Sequence, residues 1–286
     1  MFFIIGSIVV VSCVLGGYMA MGGHLAVLNQ PFEVVIICGA ALGAFIIANP
    51  KDLIIKVLGG FKDLLKGRNY TKAVYLELLV MLFATFKMAR AKGVLALEAH
   101  VENPHDSEFF KKFPSFYGNH HAVVFFCDYL RLITMGTNSP HQLEDLMDQE
   151  IETHHEESHQ ISGAVTTVAD GMPALGIVAA VLGVIKTMGA ISEPPEVLGK
   201  LIGGALVGTF LGVWISYGFI GPMGQSLAAL YDHDTRYMRT IKVGLLAFMH
   251  GHAPQIAIEF ARKNIFHDMR PDFYEVEEAI ANAPAE

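Results

Sequence analysis

The sequence predicts an all-α integral membrane protein with four transmembrane helices. It also predicts a large helical cytoplasmic insertion between the second and third spans, and cytoplasmic helical extensions. Three observations carry this prediction. Only 17% of the 286 residues are charged and 52% are hydrophobic, with mean hydropathy +0.42, whereas roughly a quarter of an ordinary soluble chain is charged. Four stretches are close to the ~20 apolar residues that cross a bilayer. Between them the apolar residues recur at helical spacing, and no alternating strand pattern interrupts them.

The elements follow in order. The first span is 2–21, FFIIGSIVVVSCVLGGYMAM. It lacks a basic leading segment and a clear small-x-small cleavage site, so it reads as a retained helix and not a signal peptide. The second span is 32–49, FEVVIICGAALGAFIIAN, with Glu33 at its edge. Lys51, Lys56, Lys62, Lys66, Arg68 and Lys72 follow at once, whereas 22–31 has no lysine or arginine and 192–200 has only Lys200. Basic residues collect on the cytoplasmic side. This places 51–170 and 222–286 in the cytoplasm, with both termini inside.

Within 53–65, Leu53, Ile54, Val57, Leu58, Phe61, Leu64 and Leu65 alternate with lysines at helical spacing. This is an amphipathic helix for the inner membrane surface. Residues 73–99 form a second helix. Its run AVYLELLVMLFATF is too short to span and contains Glu77, so it reads as a buried cytoplasmic helix. Residues 103–119 carry two prolines and polar breakers and read as a loop. Residues 121–135 are a short apolar helix. Ser139-Pro140 then opens a polar helix that runs toward Pro173: a capping serine with proline at the first helical position. The third span is 171–191 and the fourth 201–221. Residues 223–250 continue as helix, and the tail from 272 is acidic. The domains are therefore 1–50, the first two spans; 51–170, the cytoplasmic insertion; 171–221, the last two spans; and 222–286, the C-terminal helical region.

The formal net charge of −8 and the lack of a long basic run argue against nucleic-acid binding. Cys13, Cys38 and Cys127 have no metal-ligand spacing, and a disulfide framework is not expected. One enzyme motif needs an answer: His155-Glu156-Glu157-Ser158-His159 matches the zinc-protease pattern H-E-x-x-H. A charged Glu157 stands between glutamate and second histidine, and 149–160 is polar on all sides, leaving no apolar face for a dry pocket. The stretch reads as a solvated, acidic stalk helix. No metal and no catalytic residue is expected.

The third and fourth spans are rich in small residues: Gly176, Ala179, Ala180, Gly183, Gly203, Gly204, Ala205, Gly208 and Gly212. Small residues allow close helix approach, either within one chain or as a seam for a partner helix. No carboxylate sits mid-membrane, so an ion-carrying acid must belong to another polypeptide. Thr209 is the best-placed polar group of the fourth span, and its ordinary role is a bond back to its own helix. Pro173 and Pro222 fall at the cytoplasmic boundaries of their spans, as helix start and terminator or as hinges.

These residues resemble a known family. ALVGTFLG at 205–212, YGFIGP ending at Pro222, DGMPALGIVAAVLGV at 170–184, RAKGVLALE at 90–98 and EFARKNIFHDMRP at 259–271 are together similar to the MotA-type stator subunit of the bacterial flagellar motor. Trp214 departs from the family signature, which prefers a smaller aliphatic there, and is expected to face lipid or a neighbour. The resemblance implies a ring, five copies around two transmembrane helices of a MotB-like, peptidoglycan-anchored partner that carries the ion-binding aspartate. It implies that Arg90 and Glu98 face the rotor protein FliG, that Pro173 and Pro222 couple ion passage to movement, and that Ala180 and Thr209 lie on the ion path. Eight residues apart on one helix, Arg90 and Glu98 would share a face.

Sodium-driven relatives carry threonine where this chain has Ala180 and Gly208. Hydroxyls help replace a sodium ion's hydration shell, so protons are the expected coupling ion, and no cofactor is expected. Two other readings compete: an ExbB- or TolQ-like energiser of a TonB-type system, which typically has three spans, and the zinc protease.

Overall fold

The computed structural model describes residues 2–66, 70–137 and 139–282, and every regular element among them is helical. Four helical stretches are long and apolar enough to cross a membrane, as the sequence predicts: Phe3–Ala20, Leu25–Ala48, Pro140–Met188 and Pro195–Met249. The chain divides into two compact units. One comprises Met1–Arg68 and Glu157–Leu230, the other Asn69–Glu156 and Tyr231–Glu286.

The first unit holds α1 (Phe2–Ala20), α2 (Leu25–Leu28), α3 (Pro31–Ala48) and α4 (Lys51–Lys66). It also holds the second part of α10 (Pro140–Met188), α11 (Pro195–Ile215) and the start of α12 (Gly221–Met249). Ile4, Ile5, Ile8 and Val9 of α1 are exposed. An apolar exterior of this kind suits a lipid environment, where the helix satisfies its own backbone. The interior is built from Ile37, Ala41, Met172, Ala179, Val207 and Leu211. α4 has the expected amphipathic pattern. Its Val57 is buried, and Lys56 on the other side pairs with Glu157 at 2.8 Å.

The second unit is a helical domain around α5 (Lys72–Lys92), α9 (His120–Thr134), the first part of α10 and the second part of α12, with α13 (Pro254–Lys263) and α14 (Phe273–Ala281). Tyr75, Phe86, Phe116, Phe126 and Tyr237 are fully buried. Each side chain of this size contributes roughly 1.5–3 kcal/mol through burial. Phe86 stacks on Phe248 with ring centroids 4.6 Å apart. Glu77, unexpected in an apolar run, has a structural task. Its carboxylate accepts from Ser115 N at 2.7 Å, Phe116 N at 3.1 Å and Ser115 Oγ at 2.8 Å. It thereby caps the short helix α8 (Pro114–Tyr117).

The structure departs from the sequence reading in several places. The expected loop 103–119 contains two one-turn helices, α7 (Glu108–Lys111) and α8. Ser107 caps α7 and Pro114 starts α8. The expected helix 73–99 is broken at Gly93, whose φ of +85° only glycine adopts easily. After it come a 3₁₀ turn at Val94–Leu97 and α6 (Glu98–Glu102). Pro140 does open α10, with Gln142 N donating to Ser139 Oγ at 3.5 Å, and α10 continues unbroken through Pro173. Pro222 does not stop the helix, which continues over Gly221–Met249 as the sequence predicts. A π-helical turn, Ser216–Ile220, joins α11 to α12.

Candidate functional site

The small residues of α10 and α11 meet in an antiparallel crossing. A Cβ placed on Gly183 would stand 2.6 Å from Ala205 Cβ. One on Gly208 would stand 3.0 Å from Ala179 Cβ and 3.2 Å from Ala180 N, and one on Gly212 2.7 Å from Met172 O and 2.8 Å from Gly176 Cα. The contacts step down one helix as they climb the other, backbone against backbone. Most of the small-residue stripe is therefore used for packing within the chain. Ala180 and Thr209 remain half-buried at its edge.

The two prolines bracket this crossing. Pro173 sits inside α10 and has no N–H, so the Ala169 carbonyl one turn earlier loses its helical donor. Ala169 is buried, and an orphaned carbonyl there is costly. The fully buried Ser216 supplies the missing donor: its Oγ donates to Ala169 O at 2.6 Å. Ser216 is also the first residue of the π-turn that precedes Pro222. A π-turn widens the helix by one residue per turn, which relieves the clash of a proline ring with the carbonyl four residues before it. One hydroxyl thus joins the proline site of the third span to that of the fourth. Sequence reading missed Ser216, although its place in the run between Thr209 and Pro222 was visible.

Thr209 does not make the expected back-bond among the described residues, in contrast to Thr166, Thr167 and Thr187, which bond the carbonyl four residues earlier. Its hydroxyl is therefore available to the edge of the crossing. Trp214 packs within the chain, on Phe210 (5.4 Å) and Phe219 (5.7 Å).

The second unit carries the other predicted residues. Arg90 and Glu98 are both exposed, but not on one helix: Gly93 ends α5 between them, and Glu98 starts α6. Arg90 Nη1 reaches His252 O at 3.5 Å. It lines a groove of about 400 Å³ with Phe83, Lys87, Ala91, Ala253, Pro254 and Gln255. The groove is basic at its mouth, with the Lys87 ammonium 6.0 Å from the Phe83 ring.

The C-terminal motif is structural. The buried Arg262 holds Glu259 in two bonds of 2.6 Å and donates to Pro271 O at 2.9 Å. The Arg262 guanidinium keeps the Glu259 carboxyl below its usual range. The H-E-x-x-H stretch is also less solvated than expected. Ile151, Ser158 and Ile161 form a buried face. His155 Nδ1 lies 3.5 Å from Thr235 Oγ1 and 3.9 Å from the Asp232 carboxylate, and the His154 ring sits 5.3 Å from that of His121.

Comparison with known proteins places this arrangement. The Motility protein A N-terminal family matches residues 4–93, and the MotA/TolQ/ExbB proton channel family matches residues 119–240. Motility protein A of Salmonella typhimurium is 41% identical over 280 residues, 98% of this chain and 95% of the relative. Chemotaxis protein LafT of Vibrio parahaemolyticus is 34% identical over 277 residues, 97% of each chain. Among solved structures, the flagellar MotAB stator complex of Bacillus subtilis superposes with TM-score 0.71 at 26% identity, over 90% of this chain and 92% of that one. The fold is also that of C. jejuni MotAB, with TM-score 0.79 at 19% identity over 95% and 98% of the two chains. The relatives are motility proteins, which separates this chain from the TonB-type energisers and the proteases. The chain belongs to the MotA/TolQ/ExbB proton channel family, as an inner-membrane subunit of the flagellar stator and not an enzyme.

Proposed function

We propose that this chain converts proton flow into torque in a complex with a MotB-like, peptidoglycan-anchored partner. Five copies form a ring around two partner helices, each partner carrying the ion-binding aspartate. Both termini and the second unit lie in the cytoplasm, where the Arg90 groove and Glu98 engage FliG. The observation that carries this reading is the Pro173–Ala169–Ser216–Pro222 junction. It gives the membrane helices two weakly held points, bridged by one hydroxyl, where a change of charge beside Ala180 and Thr209 can alter how α10 and α11 continue.

Proton drive is supported by the lack of room at the crossing. Ala180 and Gly208 offer no hydroxyl to a sodium ion, and a side chain on Gly208 would meet Ala179 Cβ at 3.0 Å and Ala180 N at 3.2 Å. The basic groove suits a reversible charge-guided contact with an acidic rotor surface, because complementary charge raises the rate of engagement. The test is motility in a stator deletion strain restored with this chain and its partner, in which Pro173→Ala and Arg90→Glu should each reduce swimming by separate routes. Full speed in both would sink the assignment of these residues.

A further inference from the structure

The second span brings a carboxylate to the crossing. Glu33 lies in the first turn of α3. Its Oε2 is enclosed and meets no hydrogen-bond donor among the described residues. It abuts Gly208, where an added Cβ would stand 3.0 Å from Oε2. One turn away, Gly204 faces the Gln30 side-chain amide in the same manner at 3.2 Å. Two glycines of α11 therefore make room for two polar side chains, Glu33 in the first turn of α3 and Gln30 just before it. A carboxylate kept only for structure would hold a donor or an ion pair, because an enclosed anion without either is costly. No ion pair joins Glu33 to Lys186 of α10 among the described residues. An ionisable group so placed in a membrane span marks an ion route.

We propose that Glu33 is a proton-exchanging group of this chain, placed between outer-side water and the partner's carboxylate beside Ala180 and Thr209. This rests on the proton-driven reading above. An O–H bond forms on the Glu33 carboxylate from a hydronium ion, releasing water. That bond breaks as the proton passes to the partner's carboxylate, and Glu33 returns to the anion. The acid of the partner is thus joined by one acid from each copy of this chain. This amends the expectation that the ion-carrying acid belongs only to another polypeptide.

The test uses the complete stator complex in vesicles, with proton uptake followed by a trapped pH dye across a range of external pH and normalised to assembled complex. Glu33→Gln should lower uptake at least tenfold and flatten its pH dependence. Glu33→Asp should restore uptake to at least a third of the original and keep a pH dependence with a shifted midpoint. Wild-type uptake and pH profile in Glu33→Gln would overturn the proposal. So would equal loss in both variants with the wild-type profile kept in the residual flux, the mark of a packing role. If Glu33→Gln fails to assemble, the Glu33→Asp midpoint decides alone, and an unshifted midpoint overturns it. A wild-type complex that takes up no protons, and whose host swims in proportion to sodium, would instead overturn the proton-driven reading.

Discussion

Removing the Ser216 hydroxyl tests the proline junction quantitatively. Ser216→Ala leaves the buried Ala169 carbonyl with no donor, since Pro173 offers none. An unmet buried carbonyl costs about 1–3 kcal/mol. Hydrogen bonds between membrane helices tend to the lower end, nearer ~0.6–1.7 kcal/mol. About 1 kcal/mol is therefore expected. The control is Pro173→Ala. In that variant the backbone N–H of residue 173 can donate to Ala169 O along the continuous α10, so the hydroxyl becomes redundant. Ser216→Ala on that background should cost only a few tenths of a kcal/mol, giving a coupling of about 0.5–1 kcal/mol, well within what neighbouring sites show. The assay is reversible unfolding of the purified complex in mixed detergent micelles with rising sodium dodecyl sulfate. Additive losses would refute the reasoning, because the hydroxyl would then not be answering the proline.

Other outcomes follow from the same geometry. Gly212→Ala pushes a methyl to within 2.7 Å of Met172 O and 2.8 Å of Gly176 Cα, both backbone, so it should cost about 1–3 kcal/mol and reduce assembled complex on gel filtration. Gly199→Ala meets nothing within 4 Å and should leave assembly unchanged. Arg90→Glu and Glu98→Lys should lower torque on tethered cells while leaving the amount of complex in the membrane constant. Because Gly93 separates the two, each should act alone and not as one helix face. Glu259 is held below its unfolded range by Arg262, so its stabilisation is complete above the ordinary carboxylate range and is lost as pH falls through the folded value. Thermal melts at falling pH should therefore lose stability less steeply in Glu259→Gln than in the wild type.

Much of this fold was legible because membrane helices announce themselves by composition. The four spans, the amphipathic α4 and the Ser139-Pro140 start follow from local chemistry alone. Features that depend on contacts across the chain were not visible. Gly93 reads as a tolerated helix glycine until its φ is known. Glu77 looks like an anomaly until α8 docks its N-terminus on it. The small-residue stripe allowed two roles, and only the matched spacing of Gly176, Gly183, Gly208 and Gly212 shows how much of it is consumed within the chain. Ser216 and Glu33 matter because of what faces them, which no local pattern encodes. The H-E-x-x-H match was the reverse case, a local pattern whose His155 lies beside Thr235 and Asp232, with the ligand atoms of His155, His159 and Asp232 all within 4.8 Å of one another.

Under the proposed function, protons passing beside Ala180 and Thr209 drive the motor. The most direct measurement is swimming speed in a stator deletion strain carrying this chain and its partner, with sodium varied a hundredfold at constant proton-motive force. We expect speed to stay level across the sodium range and to fall when the proton-motive force alone is collapsed. Speed that rises with sodium and survives collapse of the proton gradient would contradict the account.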